Sequence, residues 1–72
     1  MKVYSAKDVG EAVRHARKKA GLTQRELAES CDCGVRFVSE LENGKPTIEL
    51  GRALRVLNTL SCDVDVSARR FS

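Results

Sequence analysis

Apolar side chains recur every three to four residues along most of the chain, which is the spacing that buries one face of an α-helix. Ser5, Thr23 and Thr47 each precede such a segment, and their side-chain oxygens are suited to accept hydrogen bonds from the first amides of a helix. The pattern therefore predicts four helices, at residues 6–20, 24–31, 34–43 and 47–60.

The second and third predicted helices are short, and only the stretch CDCG at residues 31–34 separates them. Asp32 and Gly34 accept backbone angles that most residues avoid, so we expect a tight turn here. At about 100° per residue, Val38 and Leu41 of the third helix point to one side. The other side carries Arg36, Glu40 and Asn43, with Ser39 at the flank and Val35 at the leading tip.

Two short helices joined by a tight turn, the second with an apolar back and a polar front, describe a helix-turn-helix. In such a unit the second helix enters the major groove of DNA with its first turn leading. The polar front of the third predicted helix is therefore the candidate surface for contacting bases.

Beyond the fourth helix the apolar period changes to two, because Cys62, Val64 and Val66 alternate with polar residues. This predicts a half-buried strand at about 62–67. A strand needs a hydrogen-bonding partner, either the KVY stretch at residues 2–4 or its own copy in a dimer. The apolar stripe of the fourth helix is wider than three small helices need, so part of it is also expected to meet a second subunit.

We therefore predict an all-α fold with one domain over residues 1–72. It is expected to be a compact helix-turn-helix bundle of four helices. A short C-terminal β-strand, which pairs in a dimer, completes it.

Composition narrows the class of protein without identifying it. The chain has 13 Lys and Arg against 10 Asp and Glu, so its net charge of +3 favours an anionic partner only weakly. No apolar run reaches the roughly 18 residues of a membrane span, and the opening MKVYSAKDVG lacks the apolar core of a signal peptide. We therefore expect a protein of the cytoplasm with no membrane partner.

Three cysteines, an odd number in a chain with no visible export signal, indicate reduced thiols rather than a disulfide framework. Cys31 and Cys33 have the spacing of half a zinc site. A structural zinc needs four ligands, and only Cys62, far downstream, and His15, in the first helix, could complete the set. Cysteines that serve as small core side chains are the favoured alternative. We predict no metal and no cofactor.

Three stretches carry a resemblance to a known family: ARKKAGLTQRELAES, VSELENGKP and the leucine-rich helix that follows. Over about residues 9–60 the chain resembles the lambda-repressor-like (Xre) family of DNA-binding domains. More narrowly, the lead-in KVYS, the stretch RFVSELENGKPTIELG and the tail CDVDV resemble HipB-like antitoxins. That resemblance implies a dimeric repressor, associated with the nucleoid in a bacterial cytoplasm and paired with a HipA-like kinase toxin.

Arg36 is the leading candidate for base recognition, because a guanidinium at the front of this helix can donate two parallel hydrogen bonds to guanine O6 and N7. The alternative for Arg36 is an ion pair with Glu40, one helical turn away. Val35 could contact a thymine methyl group or pack in the core. Glu40 could accept a hydrogen bond from cytosine N4 if Arg36 neutralises its charge. Ser39 completes the predicted base-contacting set.

The resemblance also implies contacts to the DNA backbone. It places Thr23 and Gln24, at the start of the second helix, against a phosphate, where free amides and the helix dipole favour an anion. It places Asn43, Gly44 and Lys45 beside the backbone, through main-chain N–H groups and the lysine charge.

A structural ion pair between Arg17 and Glu42 is a further implication of the resemblance. It would link the first helix to the third. If the pair is buried, removing one partner would strand a charge at a cost of about 3 to 5 kcal/mol.

The predicted function is sequence-specific transcriptional repression by a homodimer that binds a palindromic operator in double-stranded DNA. By resemblance, the chain is the antitoxin of a HipBA-like pair and autoregulates its operon. The alternatives are a regulator without a toxin partner and a protein-interaction module that contacts no bases. An enzyme is not expected, because no paired carboxylates and no Cys-His or Ser-His arrangement with a plausible pocket is visible.

Overall fold

The computed structural model describes residues 2–62 and 65–66, with side chains over residues 3–62. In chain order the elements are β1 (Lys2–Val3), α1 (Ala6–Lys19), α2 (Gln24–Ser30), α3 (Val35–Glu42), α4 (Leu50–Thr59) and β2 (Asp65–Val66). The predicted bundle of four helices with a helix-turn-helix is confirmed. Within the described part of the chain, none of the helices combines the length and the apolar character that a bilayer span requires.

The apolar faces of the four helices meet in one core. The largest fully buried side chains come from every helix: Val13, Leu27, Val38, Leu41 and Val56. Each contributes about 1.5 to 3 kcal/mol through the apolar surface that it removes from water. The prediction that Val38 and Leu41 point inward from α3 is thus confirmed.

The predicted tight turn between α2 and α3 is present, and one residue in it takes the unusual backbone conformation. Asp32 has a φ of 54°, in the left-handed region that Asp tolerates better than most residues. Gly34 has a φ of −80° and serves as the N-cap of α3, so its extra freedom is not used. The amide of Cys33 donates to the carbonyl oxygen of Ala28 at 2.9 Å, which closes the end of α2.

Two glycines allow α3 to pack closely on α1. A Cβ atom on Gly10 would collide with the carbonyl oxygen of Leu41 and lie 2.7 Å from that of Glu42. Gly44, just after α3, has a φ of 78°, and a Cβ atom there would lie 2.8 Å from the Cα of Lys7. The backbone of α1 therefore sets the position of α3, which carries the candidate site.

The predicted start of α4 at Thr47 is wrong, because the helix begins only after Glu49. The carboxylate of Glu49 accepts hydrogen bonds from the amides of Gly51 at 3.2 Å and Arg52 at 2.7 Å. Thr47 lies exposed in a turn, and Ile48 packs against the core before the helix starts. One carboxylate that satisfies two amides thus takes the capping role that the pattern assigned to a hydroxyl.

The other helix boundaries differ from the predicted ones by a single cap residue. A cap residue lies half inside its helix, so periodicity alone cannot separate it from the helix proper. The residues concerned are Ala20, Cys31, Gly34, Asn43 and Leu60.

β2 lies within the predicted strand, and its partner lies in the same chain. β2 pairs with β1 in parallel, with Lys2 opposite Asp65 and Val3 opposite Val66. Of the two partners left open, the KVY stretch is therefore the one observed, and pairing of the strand across a dimer stays a prediction. Cys62 lies before the strand and packs against the core, and Val64 lies outside the described residues.

Candidate nucleic-acid interface

Two basic side chains at the exposed side of α3 share one carboxylate. The side chain of Arg36 is 90% exposed, and its Nε lies 3.5 Å from Oε2 of Glu40. The Nζ of Lys45 lies 3.4 Å from the same oxygen. Exposed ion pairs contribute only about 0 to 1 kcal/mol, so Arg36 and Lys45 can both exchange Glu40 for another acceptor at little cost.

Val35 and Ser39 complete the predicted base-contacting set. Val35, in the first turn of α3, is 40% exposed and is not part of the core, so the core alternative for this residue is not the one observed. Ser39 is half-buried at the flank of the helix. Together with Arg36 and Glu40 they form one surface, called here the polar face of α3.

An ion pair beneath the polar face holds α3 against α1. Nε and Nη2 of Arg17 donate to the two carboxylate oxygens of Glu42 at 2.6 and 3.0 Å. Nη1 of Arg17 donates to the carbonyl oxygen of Leu22 at 2.8 Å. Only 11% of the Arg17 side chain and 3% of the Glu42 side chain are exposed. The structure therefore confirms the predicted ion pair and makes it bidentate and desolvated.

Gln24 joins this ion pair instead of facing outward. Its Nε2 donates to Oε1 of Glu42 at 3.1 Å, so the amide that the resemblance assigned to a phosphate contacts the protein in this structure. The hydroxyl of Thr23 is also engaged, because it accepts from the amide of Glu26 at 3.0 Å. The carboxylate of Glu26 accepts in turn from the amide of Thr23 at 2.8 Å, which completes a capping box.

Contacts among Arg17, Gln24 and Glu42 shift the pKa values of the two charged residues. Burial acts to raise the pKa of Glu42, but hydrogen bonds from Arg17 and Gln24 outweigh it. The charges of Arg17 and Arg14 act in the same direction as those bonds, and the pKa of Glu42 is lowered. The hydrogen bond to Glu42 is the main cause that raises the pKa of Arg17. Both groups therefore stay charged at neutral pH.

The turn after α3 offers side chains to a ligand rather than main-chain amides. Its three amides donate to carbonyl oxygens at 3.0 to 3.1 Å: Asn43 to Ser39, Gly44 to Leu41 and Lys45 to Glu40. The expectation that these N–H groups face the DNA backbone therefore does not fit the structure. The exposed side chains of Asn43 and Lys45 remain as candidates for phosphate contacts.

The cysteines lie within the packing rather than on the polar face. Cys31 is buried, and Cys33 and Cys62 are half-buried. Burial raises the pKa of the Cys33 thiol, which lowers its thiolate fraction and its reactivity. Over the residues that the structure describes, no three His, Cys, Asp or Glu side chains group as metal ligands.

A model of the helix-turn-helix family matches residues 13–66, a range that contains α2, α3 and α4. The chain belongs to this family. An uncharacterized HTH-type transcriptional regulator, y4mF of Sinorhizobium fredii (strain NBRC 101917 / NGR234), is 43% identical over 67 residues. The match covers 93% of this chain and 88% of that relative. The protein is thus an Xre-like helix-turn-helix DNA-binding transcriptional regulator.

Two solved structures share the fold of this helix-turn-helix regulator. One is described as a HipB–O4 20mer complex and superposes with a TM-score of 0.82. The other is described as a HipA–HipB–O2–O3 complex and superposes with a TM-score of 0.81. In both cases the identity is 24%, and the match covers 97% of this chain and 99% of the solved chain.

Sequence reasoning about this helix-turn-helix regulator identified the polar face of α3 but missed two contacts that hold α3 in place. Gln24 and Glu42 are 18 residues apart, so no local pattern predicts their hydrogen bond. Gly10 lies within an amphipathic helix, where periodicity gives no sign of its close approach to α3.

Proposed function

We propose that this regulator is a sequence-specific repressor that binds a palindromic operator in double-stranded DNA as a homodimer. The observation that carries the proposal is the orientation of α3. Arg36 projects from its front with 90% of the side chain exposed, while Val38 and Leu41 hold its back in the core. The first turn of α3 can therefore enter a major groove without rearrangement of the core. The proposed action requires binding alone, with neither a cofactor nor catalysis.

Arg36 is proposed to recognise a guanine. Two parallel hydrogen bonds from its guanidinium to O6 and N7 would discriminate against other bases by about 1 to 3 kcal/mol. Glu40, freed from Arg36, would accept from the N4 group of a nearby cytosine, and Val35 would contact a thymine methyl group. Lys45 would exchange Glu40 for a phosphate, which adds affinity without sequence information.

Selection of genomic fragments tests this assignment. Wild-type protein, Arg36→Ala and the control Lys19→Ala would each be incubated with the fragments, and the retained DNA would be sequenced. Fluorescence anisotropy would then give Kd for the selected site and for random DNA. Lys19 is a suitable control because it carries the same charge but lines a groove with Leu60 and Cys62 instead of lying on the polar face of α3.

We expect Arg36→Ala to weaken binding to the selected site by about 5- to 150-fold, the equivalent of about 1 to 3 kcal/mol, and to affect random DNA much less. Lys19→Ala should change both Kd values by a similar small factor, because it removes a charge outside the polar face of α3. Selection of the same fragments with the same Kd by Arg36→Ala would contradict the assignment. Failure of the wild type to retain any DNA would favour the protein-interaction alternative.

An apolar strip on α4 supports the homodimer. Leu50 and Leu54 lie one turn apart, and they are 68% and 49% exposed. The same helix already buries Ala53, Val56 and Leu57 in the core, so the two leucines form a separate apolar flank. A second copy that packs on this flank about a two-fold axis would cover both leucines on each protomer. In the proposed dimer the two α3 helices lie about 34 Å apart, which is one turn of DNA.

Sedimentation equilibrium tests the α4 surface. Leu54→Glu places a charge in the proposed interface and should shift the protein toward monomer, whereas Thr59→Glu adds the same charge to an exposed position on the opposite flank of α4. A dimer that withstands Leu54→Glu would exclude this surface. Deletion of residues 62–72 tests dimerisation through the C-terminal strand in the same assay, and an unchanged dimer would exclude that contribution.

We further propose that the regulator is the antitoxin of a HipBA-like pair and represses its own operon. The support is the match of nearly the whole chain to a fold that a solved structure contains as HipB together with HipA. The proposed partner is a HipA-like kinase toxin. Co-expression with a kinase-like protein encoded by the neighbouring gene should give a complex that co-elutes on size exclusion. Absence of such a gene, or separate elution, would favour a regulator without a toxin partner.

A further inference from the structure

Arg52 of α4 lies against the aromatic ring of Phe37 on α3. The guanidinium carbon is 5.9 Å from the ring centroid, within the range of a cation–π contact. Phe37 is half-buried and follows Arg36 directly, so it borders the polar face of α3. Arg52 therefore extends the basic surface from α3 onto the first turn of α4.

The helical wheel of α4 separates this arginine from the proposed dimer surface. At about 100° per residue, the core residues Ala53, Val56 and Leu57 form the central stripe. Leu50 and Leu54 fall on one side of that stripe and Arg52 falls on the other. One flank of α4 thus adjoins α3, while the opposite flank carries the exposed leucines.

A second arginine of α4, Arg55, also affects the turn before α3 through its charge. Burial and the neighbouring Cys31 raise the pKa of Cys33, and the charges of Arg52 and Arg55 act in the opposite direction. The charges of Arg52 and Arg55 thus both act on Cys33, in the turn that precedes α3. Arg52 also forms an ion pair with Glu49, whose Oε2 lies 3.9 Å from Nε while both side chains are 60% exposed. Such an ion pair is weak, and the carboxylate is also occupied by capping α4.

We propose that Arg52 binds a phosphate of the DNA backbone beside the groove that α3 enters, with Phe37 as the positioning residue that holds the guanidinium. The inference rests on the proposed binding of DNA through α3. A guanidinium stacked on a ring keeps its N–H edge available, and that edge can donate two hydrogen bonds to phosphate oxygens. The contact adds affinity for any sequence and makes α4 part of the DNA-binding surface.

The test measures Kd as a function of salt concentration for the full chain on its selected site and on random DNA. The variants are Arg52→Gln, which removes the charge but keeps a polar side chain, Phe37→Leu, their double variant, and the control Lys19→Ala. Each phosphate contact contributes about 0.9 to the slope of log K against log salt. Arg52→Gln should therefore reduce the magnitude of this slope by about 0.9 for each protomer. It should also weaken binding to the selected site and to random DNA by about tenfold at low salt.

Phe37→Leu should move the slope in the same direction, and Arg52→Gln should have a smaller effect in its presence, because the two residues act as one contact. A purely structural role for Phe37 would weaken binding without a change in slope, and this result would overturn its positioning role. A slope for Arg52→Gln that equals that of Lys19→Ala, with wild-type binding intact, would overturn the phosphate contact and leave the proposed function standing. If the wild type binds no DNA at either salt extreme, both fail together.

Discussion

Substitution of Arg17 by methionine would remove the guanidinium that pairs with Glu42 while keeping an unbranched apolar side chain. In the wild type, Arg17 donates to both oxygens of Glu42, and Gln24 donates to one of them. After the substitution, Gln24 still donates a hydrogen bond to Glu42, whose side chain is 3% exposed. The buried charge on α3 then lacks most of its compensation.

The size of the effect follows from this burial. Removing one partner of a buried ion pair costs about 3 to 5 kcal/mol. A chain of 72 residues has a free energy of unfolding of about 4 to 11 kcal/mol, at about 0.05 to 0.15 kcal/mol per residue. We therefore expect Arg17→Met to remove much of the total stability. The double substitution Arg17→Met with Glu42→Met should recover most of the loss, because it leaves no buried charge behind.

The same cluster predicts how stability depends on pH. Burial acts to raise the pKa of Glu42, but the bonds from Arg17 and Gln24 hold it below its unfolded value. A depressed carboxyl pKa contributes stability that is present above the unfolded pKa and is lost as pH falls through the folded one. Because an unfolded glutamate titrates at about pH 4.3, the wild type should lose the contribution of Glu42 to stability from about pH 5 downward. Glu42→Gln should show a flatter decline.

Urea titration followed by far-ultraviolet circular dichroism provides the measurement, at neutral pH and along an acid series. Arg14→Met is the matched control, since Arg14 is exposed on the same helix and acts on Glu42 only through its charge. We expect the control to change the free energy of unfolding by about 0.5 kcal/mol or less. If Arg17→Met costs no more than Arg14→Met, the pair is hydrated and does not hold α3 in place.

Three other features of the structure can be tested by substitution or by chemical labelling. Gly10→Ala should lower the free energy of unfolding by about 1 to 3 kcal/mol, because the added methyl group collides with backbone oxygens of α3. An unchanged free energy of unfolding would mean that α1 and α3 are less close than observed. Glu49→Ala should lower the free energy of unfolding by about 1 kcal/mol through loss of the α4 cap, whereas Thr47→Ala should lower it by less than about 0.5 kcal/mol. The reverse order would indicate that the helix starts at Thr47. Cys31 and Cys33 should react with maleimide slowly in the folded protein and rapidly in urea, so fast labelling of the native state would contradict the burial of Cys31 and the raised pKa of the half-buried Cys33.

The amino-acid sequence by itself determined the number of helices, the turn between α2 and α3, and the two sides of α3. Burial of one helical face imposes a period of about 3.6, so Val38 and Leu41 could be placed inside and Arg36 outside without coordinates. Asp32 could be placed in the turn for an equally local reason, since few residues other than glycine tolerate a positive φ. The ion pair between Arg17 and Glu42 came from resemblance to a family rather than from any local pattern.

Only the tertiary structure decided which neighbours the side chains meet. The resemblance assigned Gln24 to a phosphate, yet Gln24 donates to Glu42, and Arg52 lies on Phe37 of a different helix. Glu49, rather than Thr47, caps α4, and Ile48 packs on the core before the helix begins. The physical reason is common to the first two cases. Periodicity and capping chemistry act within a few residues, whereas partners many residues apart depend on how whole helices pack around a shared core.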